Sequence, residues 1–247
     1  MAKLVQKSGY IKSGKASGYM RYIATREGVE KLAGNGAVTK GQRELIQKLL
    51  TDFPDAVELF EYEDYCKTPT LGTASAFITM ALDANLHGID SESGYMQYIA
   101  TRPRVQKHGS HGLFSSSTSV DLASAMSELE SHEGNVWTII YSLRREDAAR
   151  LEFDNADAWR TLLMENAPTL AKSMKISLDN FHWYAAFHDE GHHPHIHMMV
   201  WSDNPKEGFL TKDGIAAMRS KLTNAIFRDE MQQIYERKDV AYSDLVE

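Results

Sequence analysis

Apolar and polar positions alternate most regularly between residues 181 and 202, FHWYAAFHDEGHHPHIHMMVWS. Successive side chains of a strand point to opposite faces. The first run therefore puts His182, Tyr184, Ala186 and His188 on one face, and Trp183, Ala185 and Phe187 on the other. In the second run His195 and His197 project together, with Ile196, Met198 and Val200 turned the other way into an apolar layer. Residues 189–194, punctuated by Gly191 and Pro194, predict a turn that folds the two runs into an antiparallel hairpin with His188 opposite His195.

Elsewhere the period predicts a short strand over 3–11 and a strongly apolar, buried strand over 136–143. Helical spacing marks residues 40–50, 73–87, 120–130, 156–174 and 214–237. A further helix begins after Ser17, a good N-cap, and carries Tyr19, Tyr22, Ile23 and Arg26 on one face at i, i+3, i+4 and i+7. This order of elements predicts an α+β fold, a central antiparallel sheet with helices packed on it and covering one face. We expect one domain over residues 1–247, with an insertion at about 34–92 that decorates the core and carries no chemistry of its own.

The hairpin holds six of the ten histidines. Strand parity and the turn bring His188, His195 and His197 to one point. Three neutral imidazoles without a fourth protein ligand describe a divalent-metal site with open positions, as catalysis requires. Asp189 and Glu190 stand where a carboxylate accepts the outer N–H of a ligand ring and fixes its tautomer. His192 and His193 lie in the turn as bystanders, with His193 an alternative to His188 as third ligand.

Composition narrows the class. At 247 residues and 43% hydrophobic content the chain can bury a substantial core. The lone cysteine, Cys66, excludes a disulfide framework and cysteine-based zinc modules. No apolar run reaches membrane length and the first residues show no hydrophobic leader, so we expect a cytoplasmic protein. The net charge of -7 argues against a polyanion partner until its distribution is considered. Residues 1–40 carry eight basic groups against two acidic ones, a balance of +6, and residues 93–118 add Arg102, Arg104 and Lys107 with no acid. A basic region on an acidic body is a candidate polyanion footprint.

The same basic regions contain a repeat. SGYMRYIATREGVEK at 17–31 recurs as SGYMQYIATRPRVQK at 93–107, identical at 11 of 15 positions. Two copies do not make a solenoid; they are one local device used twice. Pro103 ends the second helix early, which places Arg102 at its end. The small and hydroxyl residues of 107–112 and 115–119 offer backbone N–H groups and hydroxyls to a phosphate chain.

Taken together, His195-Ile196-His197, with His188 seven and nine residues earlier, resembles the three-histidine motif of HUH-type relaxases. GYMRYIATREGVEK near the N-terminus and YIATRPRV followed by KHGSHGLF resemble the MobL branch of the MobP-type relaxases, the tyrosine endonucleases that start conjugative DNA transfer. The resemblance implies a central antiparallel sheet with the histidines on a central strand, and metal-dependent nicking of one DNA strand at a transfer origin. It matches His188, His195 and His197 to the metal ligands and Tyr22 to the nucleophile, with Tyr19 as fallback and Arg26 beside them. The metal would be Mg2+ or Mn2+, with Zn2+ the other ion such ligands take. The partners would be single-stranded origin DNA, accessory relaxosome proteins and a type IV secretion coupling protein, in a bacterial cytoplasm. The second copy, with Tyr95, Tyr98, Arg102, Arg104 and Lys107, is expected to bind single-stranded DNA.

Two other readings stand beside this one. His193-Pro194-His195-Ile196-His197 also resembles the histidine-triad nucleotide hydrolases and transferases, in which a histidine is the nucleophile. The other is a non-enzymatic DNA-binding protein with a structural metal.

Overall fold

The computed structural model describes residues 3–10, 36–85, 92–101, 104–117, 119–191 and 193–228. The helix expected after Ser17, with Tyr19, Tyr22 and Arg26, lies outside the described residues, as do Arg102, Pro103, His192 and the end of the helix expected over 214–237.

Five strands form one antiparallel sheet: β1 (Val5–Tyr10), β2 (Leu113–Phe114), β3 (Trp137–Ser142), β4 (Phe181–His188) and β5 (His195–Ser202), in the spatial order β1-β3-β5-β4-β2. The hairpin matches the sequence pattern residue for residue, with His188 paired to His195 and Ala186 to His197. β5 lies in the middle of the sheet, so His195 and His197 ride on a strand that is held from both sides, with His188 on its neighbour β4. Such a strand cannot slip register without moving an apolar side chain to the wrong face.

The helices among the described residues are α1 (Lys40–Asp52), α2 (Phe60–Lys67), α3 (Leu71–Asn85), α4 (Glu92–Thr101), α5 (Leu122–Glu130), α6 (Arg145–Arg150), α7 (Ala156–Ser173) and α8 (Lys212–Ile226). Their ends carry readable signals. Thr39 caps α1 in a capping box with Gln42, and Asp121, Asn155 and Thr211 cap α5, α7 and α8 through their side-chain oxygens.

One face of the sheet presents Ile139, Tyr141, Trp183, Ala185, Phe187, Ile196, Met198 and Val200 to α7 and α8, which answer with Trp159, Leu163, Leu170, Met218 and Leu222. α8 buries Gly214, Met218, Leu222 and Ile226, a stripe at four-residue spacing. At Gly214 a Cβ would stand 2.4 Å from the Ser173 carbonyl oxygen, so only glycine lets α8 start this close to the end of α7.

The other face is covered too, which corrects the expectation of helices on one side only. α1, α2 and α3 pack on its β1 and β3 half, around Val5 and Ile140. α4 and α5 pack on the opposite half, around Leu113, Ala186, Met199 and Trp201. Periodicity shows that a helix has an apolar face but not which sheet face receives it. The histidines sit where the two groups meet: His197 has Ile140 beside it on β3 and Ala186 beside it on β4.

Candidate metal centre

His188, His195 and His197 each offer a ring nitrogen, and the three nitrogens lie within 4.8 Å of one another. All three residues are fully buried, with ring centroids 4.7 to 5.2 Å apart. Hydrogen bonds on the outer ring edges decide the tautomers of His195 and His188. A backbone carbonyl only accepts, so His195 donates Nδ1–H to the His193 carbonyl at 3.0 Å and carries its lone pair on Nε2. His188 donates Nε2–H to the Ile99 carbonyl at 2.9 Å and carries its lone pair on Nδ1. His197 places Nδ1 3.0 Å from the Tyr95 hydroxyl; with the phenol oxygen accepting, its lone pair is on Nε2. These three lone-pair nitrogens are buried from solvent. Neutral imidazoles aimed together, with their other nitrogens engaged, are a donor set that fits a divalent cation.

The outer partners differ from those expected. Asp189 forms an ion pair with Arg145 at 2.6 Å and Glu190 one with Arg104, beyond the end of β4. Two backbone carbonyls and a tyrosine hydroxyl hold the rings instead. His193 contributes its carbonyl rather than its ring to the cluster, and its Nε2 lies 2.7 Å from Asp64 on α2.

That last contact exposes what the sequence reading missed. The middle of the chain reaches the hairpin turn: the Phe60 ring stacks on His193 at 5.2 Å, and Arg144 lies over Phe60 while bonding Glu63 and Asp64. Burial alone would raise the Asp64 carboxyl, but the His193 and Arg144 bonds outweigh it and hold it below its ordinary value. The acidic run around residues 58–64 was the only sequence signal, and its link to His193 spans 129 residues.

Beside Asp64, Glu61 is buried. Burial pushes its carboxyl up to about 8, helped by Asp64 and Glu190 and opposed by a backbone hydrogen bond and Arg144. A folded-state value above the unfolded one means that the folded protein binds the proton more tightly between pH ~4.5 and ~8. Glu61 therefore contributes stability that is complete below about pH 4.5 and is lost as pH rises through about 8. Glu61→Gln keeps the shape without the charge. Its melting temperature should exceed that of the parent by ~5 °C or more at pH 9 and converge with it near pH 5. Melting curves across that range check this, and a constant offset between the two proteins would refute it.

The second repeat copy lies against the site. Tyr95 is buried on α4 with its hydroxyl on His197, and Tyr98 is half-buried and donates to Asp83 of α3 at 3.1 Å. Arg104 and Lys107 are exposed. The segment after α4 runs beside β4, where Val105 bridges His188 and Gln106 N–H donates to the Phe187 carbonyl at 2.9 Å. In the following loop His111 binds the Val120 carbonyl at 3.0 Å and accepts from Leu113 N–H at 3.1 Å, so this histidine braces the loop.

The histidine trio lies on two neighbouring strands of the antiparallel sheet, His195 and His197 on the central β5 and His188 on β4. The family model of the MobL relaxases matches residues 1–247, the whole chain. The chain belongs to the MobL relaxases. Neither a search of curated proteins nor one of solved structures finds a match. Membership accounts for the α+β sheet with its packed helices and makes this MobL relaxase a DNA-nicking enzyme by family. No helix among the described residues is long and apolar enough to cross a membrane.

Proposed function

We propose that this relaxase nicks one strand of a transfer origin by tyrosine transesterification, leaving a 5′-phosphotyrosine, to start conjugative mobilisation. The observation that carries the proposal is the buried trio His188, His195 and His197 in a member of the MobL family. The histidine-triad and structural-metal readings find no counterpart in the family match.

Tyr22 is the proposed nucleophile, with Tyr19 as the alternative and Arg26 on the same predicted helix face to meet the phosphate. Attack by the phenolic oxygen forms a Tyr–O–P bond and breaks the P–O3′ bond. The phenol loses its proton and the departing 3′ oxygen gains one. One phosphodiester replaces another, so the reverse step rejoins the strand without a nucleotide cofactor. A divalent ion held by the three imidazoles, Mg2+ or Mn2+ with Zn2+ as the other choice, would draw charge from a non-bridging phosphate oxygen. The ring-fixing bonds from Ile99, His193 and Tyr95 spare the site reorganisation as the phosphate arrives.

The chain is proposed to act as one nicking domain in which residues 34–92 are an insertion. Arg102, Arg104 and Lys107 are the proposed DNA-backbone contacts, with Tyr98 beside them. Replacing Arg102 and Arg104 by alanine should weaken single-strand binding and flatten its dependence on log salt by ~0.7 per lost phosphate contact. Anisotropy titrations at several salt concentrations measure this; an unchanged slope would remove the pair from the interface. Accessory relaxosome proteins and a type IV secretion coupling protein, in a bacterial cytoplasm, are the proposed setting.

The test of the activity is direct. A labelled single-stranded origin oligonucleotide incubated with the full chain and Mn2+ should yield a shorter strand and a protein–DNA adduct that survives a denaturing gel. Cleavage without an adduct would point to hydrolysis, and neither product on any origin sequence would contradict the proposal.

A further inference from the structure

The repeat has a role beyond DNA contact, one that rests on the three histidines being metal ligands. Its second copy forms α4, where Tyr95 and Ile99 are one helical turn apart and share a face. From that face the Tyr95 hydroxyl meets His197 Nδ1 at 3.0 Å and the Ile99 carbonyl meets His188 Nε2 at 2.9 Å. One turn of helix thus touches two ligand rings on two adjacent strands, β5 and β4. The turn itself is locked in place. Met96, Ile99 and Ala100 are fully buried with Ala186, Met199 and Trp201, and Tyr98 ties α4 across to Asp83 of α3.

We infer that the second repeat copy is a brace for the metal centre, and that Tyr95 is the positioning residue that holds the ring of His197. It is neither a second nucleophile nor a platform for base stacking. Nδ1 and Nε2 lie on different edges of the imidazole, so the Tyr95 oxygen and a cation on Nε2 are on opposite sides of the ring. An attacking oxygen must approach phosphorus to ~3–3.5 Å, and the His197 ring stands between Tyr95 and any phosphate bound at the metal. Stacking requires an exposed ring face, whereas Tyr95 is only 6% exposed. The brace also accounts for a difference between the copies: Gln97 replaces Arg21 at an exposed position, outside the face that holds the ligands.

A metal ligand that loses its outer hydrogen bond typically loses ~10–100-fold in metal affinity. Tyr95→Phe removes the hydroxyl and keeps the packed ring, so Co2+ affinity, followed by the cobalt visible spectrum and by the metal-induced rise in melting temperature, should fall by that factor. Tyr184→Phe removes a comparable hydrogen bond, to Glu128 at 3.0 Å and farther along β4, and should bind Co2+ like the parent. DNA adducts formed by Tyr95→Phe should still map to the first copy. Metal-loaded parent protein supplies a readout free of mutation, a solvent-protected His197 Nδ1 proton in nitrogen-15 spectra. Parental affinity in Tyr95→Phe, an adduct mapped to Tyr95, or a rapidly exchanging His197 Nδ1 proton would each overturn the brace. A parent chain that takes up no metal would instead overturn the metal reading itself, and the brace with it.

Discussion

Alanine at His195 or at His197 is expected to lower the nicking rate by about three orders of magnitude or more, equivalent to ~4 kcal/mol or more of transition-state stabilisation. Each substitution removes one of three donors and opens a hole in a fully buried site. The remaining two imidazoles would hold a divalent ion weakly, and the charge building on the phosphate would lose its main counterweight. DNA affinity should fall far less, because most of it comes from phosphate contacts elsewhere on the surface. Single-turnover nicking and equilibrium DNA binding, measured on the same preparations, separate the two effects. A variant that loses binding and nicking in equal proportion would show that the trio is part of the DNA-binding surface and not of the chemistry.

Tyr22→Phe is expected to abolish the covalent adduct altogether while leaving folding and DNA binding intact, since only a hydroxyl is removed. Phenol is a weak nucleophile near neutral pH, with an ordinary pKa of about 10. The reaction therefore depends on one oxygen placed against the phosphate, and a ring without it has nothing to substitute. Peptide mapping of the parent adduct fixes the position. DNA on Tyr22 supports the assignment, and DNA on Tyr19 moves the reactive oxygen to the preceding turn of the same predicted helix.

Local geometry made the hairpin legible. Strand parity put His195 and His197 on one face, and the turn brought His188 to them by pairing it with His195, as the register shows. What depends on long-range packing was not legible. Nothing in the composition of residues 58–64 says that Asp64 will meet His193, and α2 has no pattern that names the turn as its target. β2 is two residues long and too short to carry a period. The covering of both sheet faces followed the same rule, since an amphipathic helix records that it packs and not against what. The repeat was visible as a repeat, but the role of its second copy became readable only once Tyr95 and Ile99 stood beside ligand rings on neighbouring strands.

Metal dependence of the centre shows in the yield of covalent protein–DNA adduct as metal is returned to chelator-treated enzyme. The prediction is no adduct in chelator, recovery on adding Mn2+ that saturates at one ion per chain, and no recovery in the His195→Ala, His197→Ala double variant. Adduct formed at the full rate in chelator, or by the double variant, would contradict a metal-dependent centre built from these three histidines.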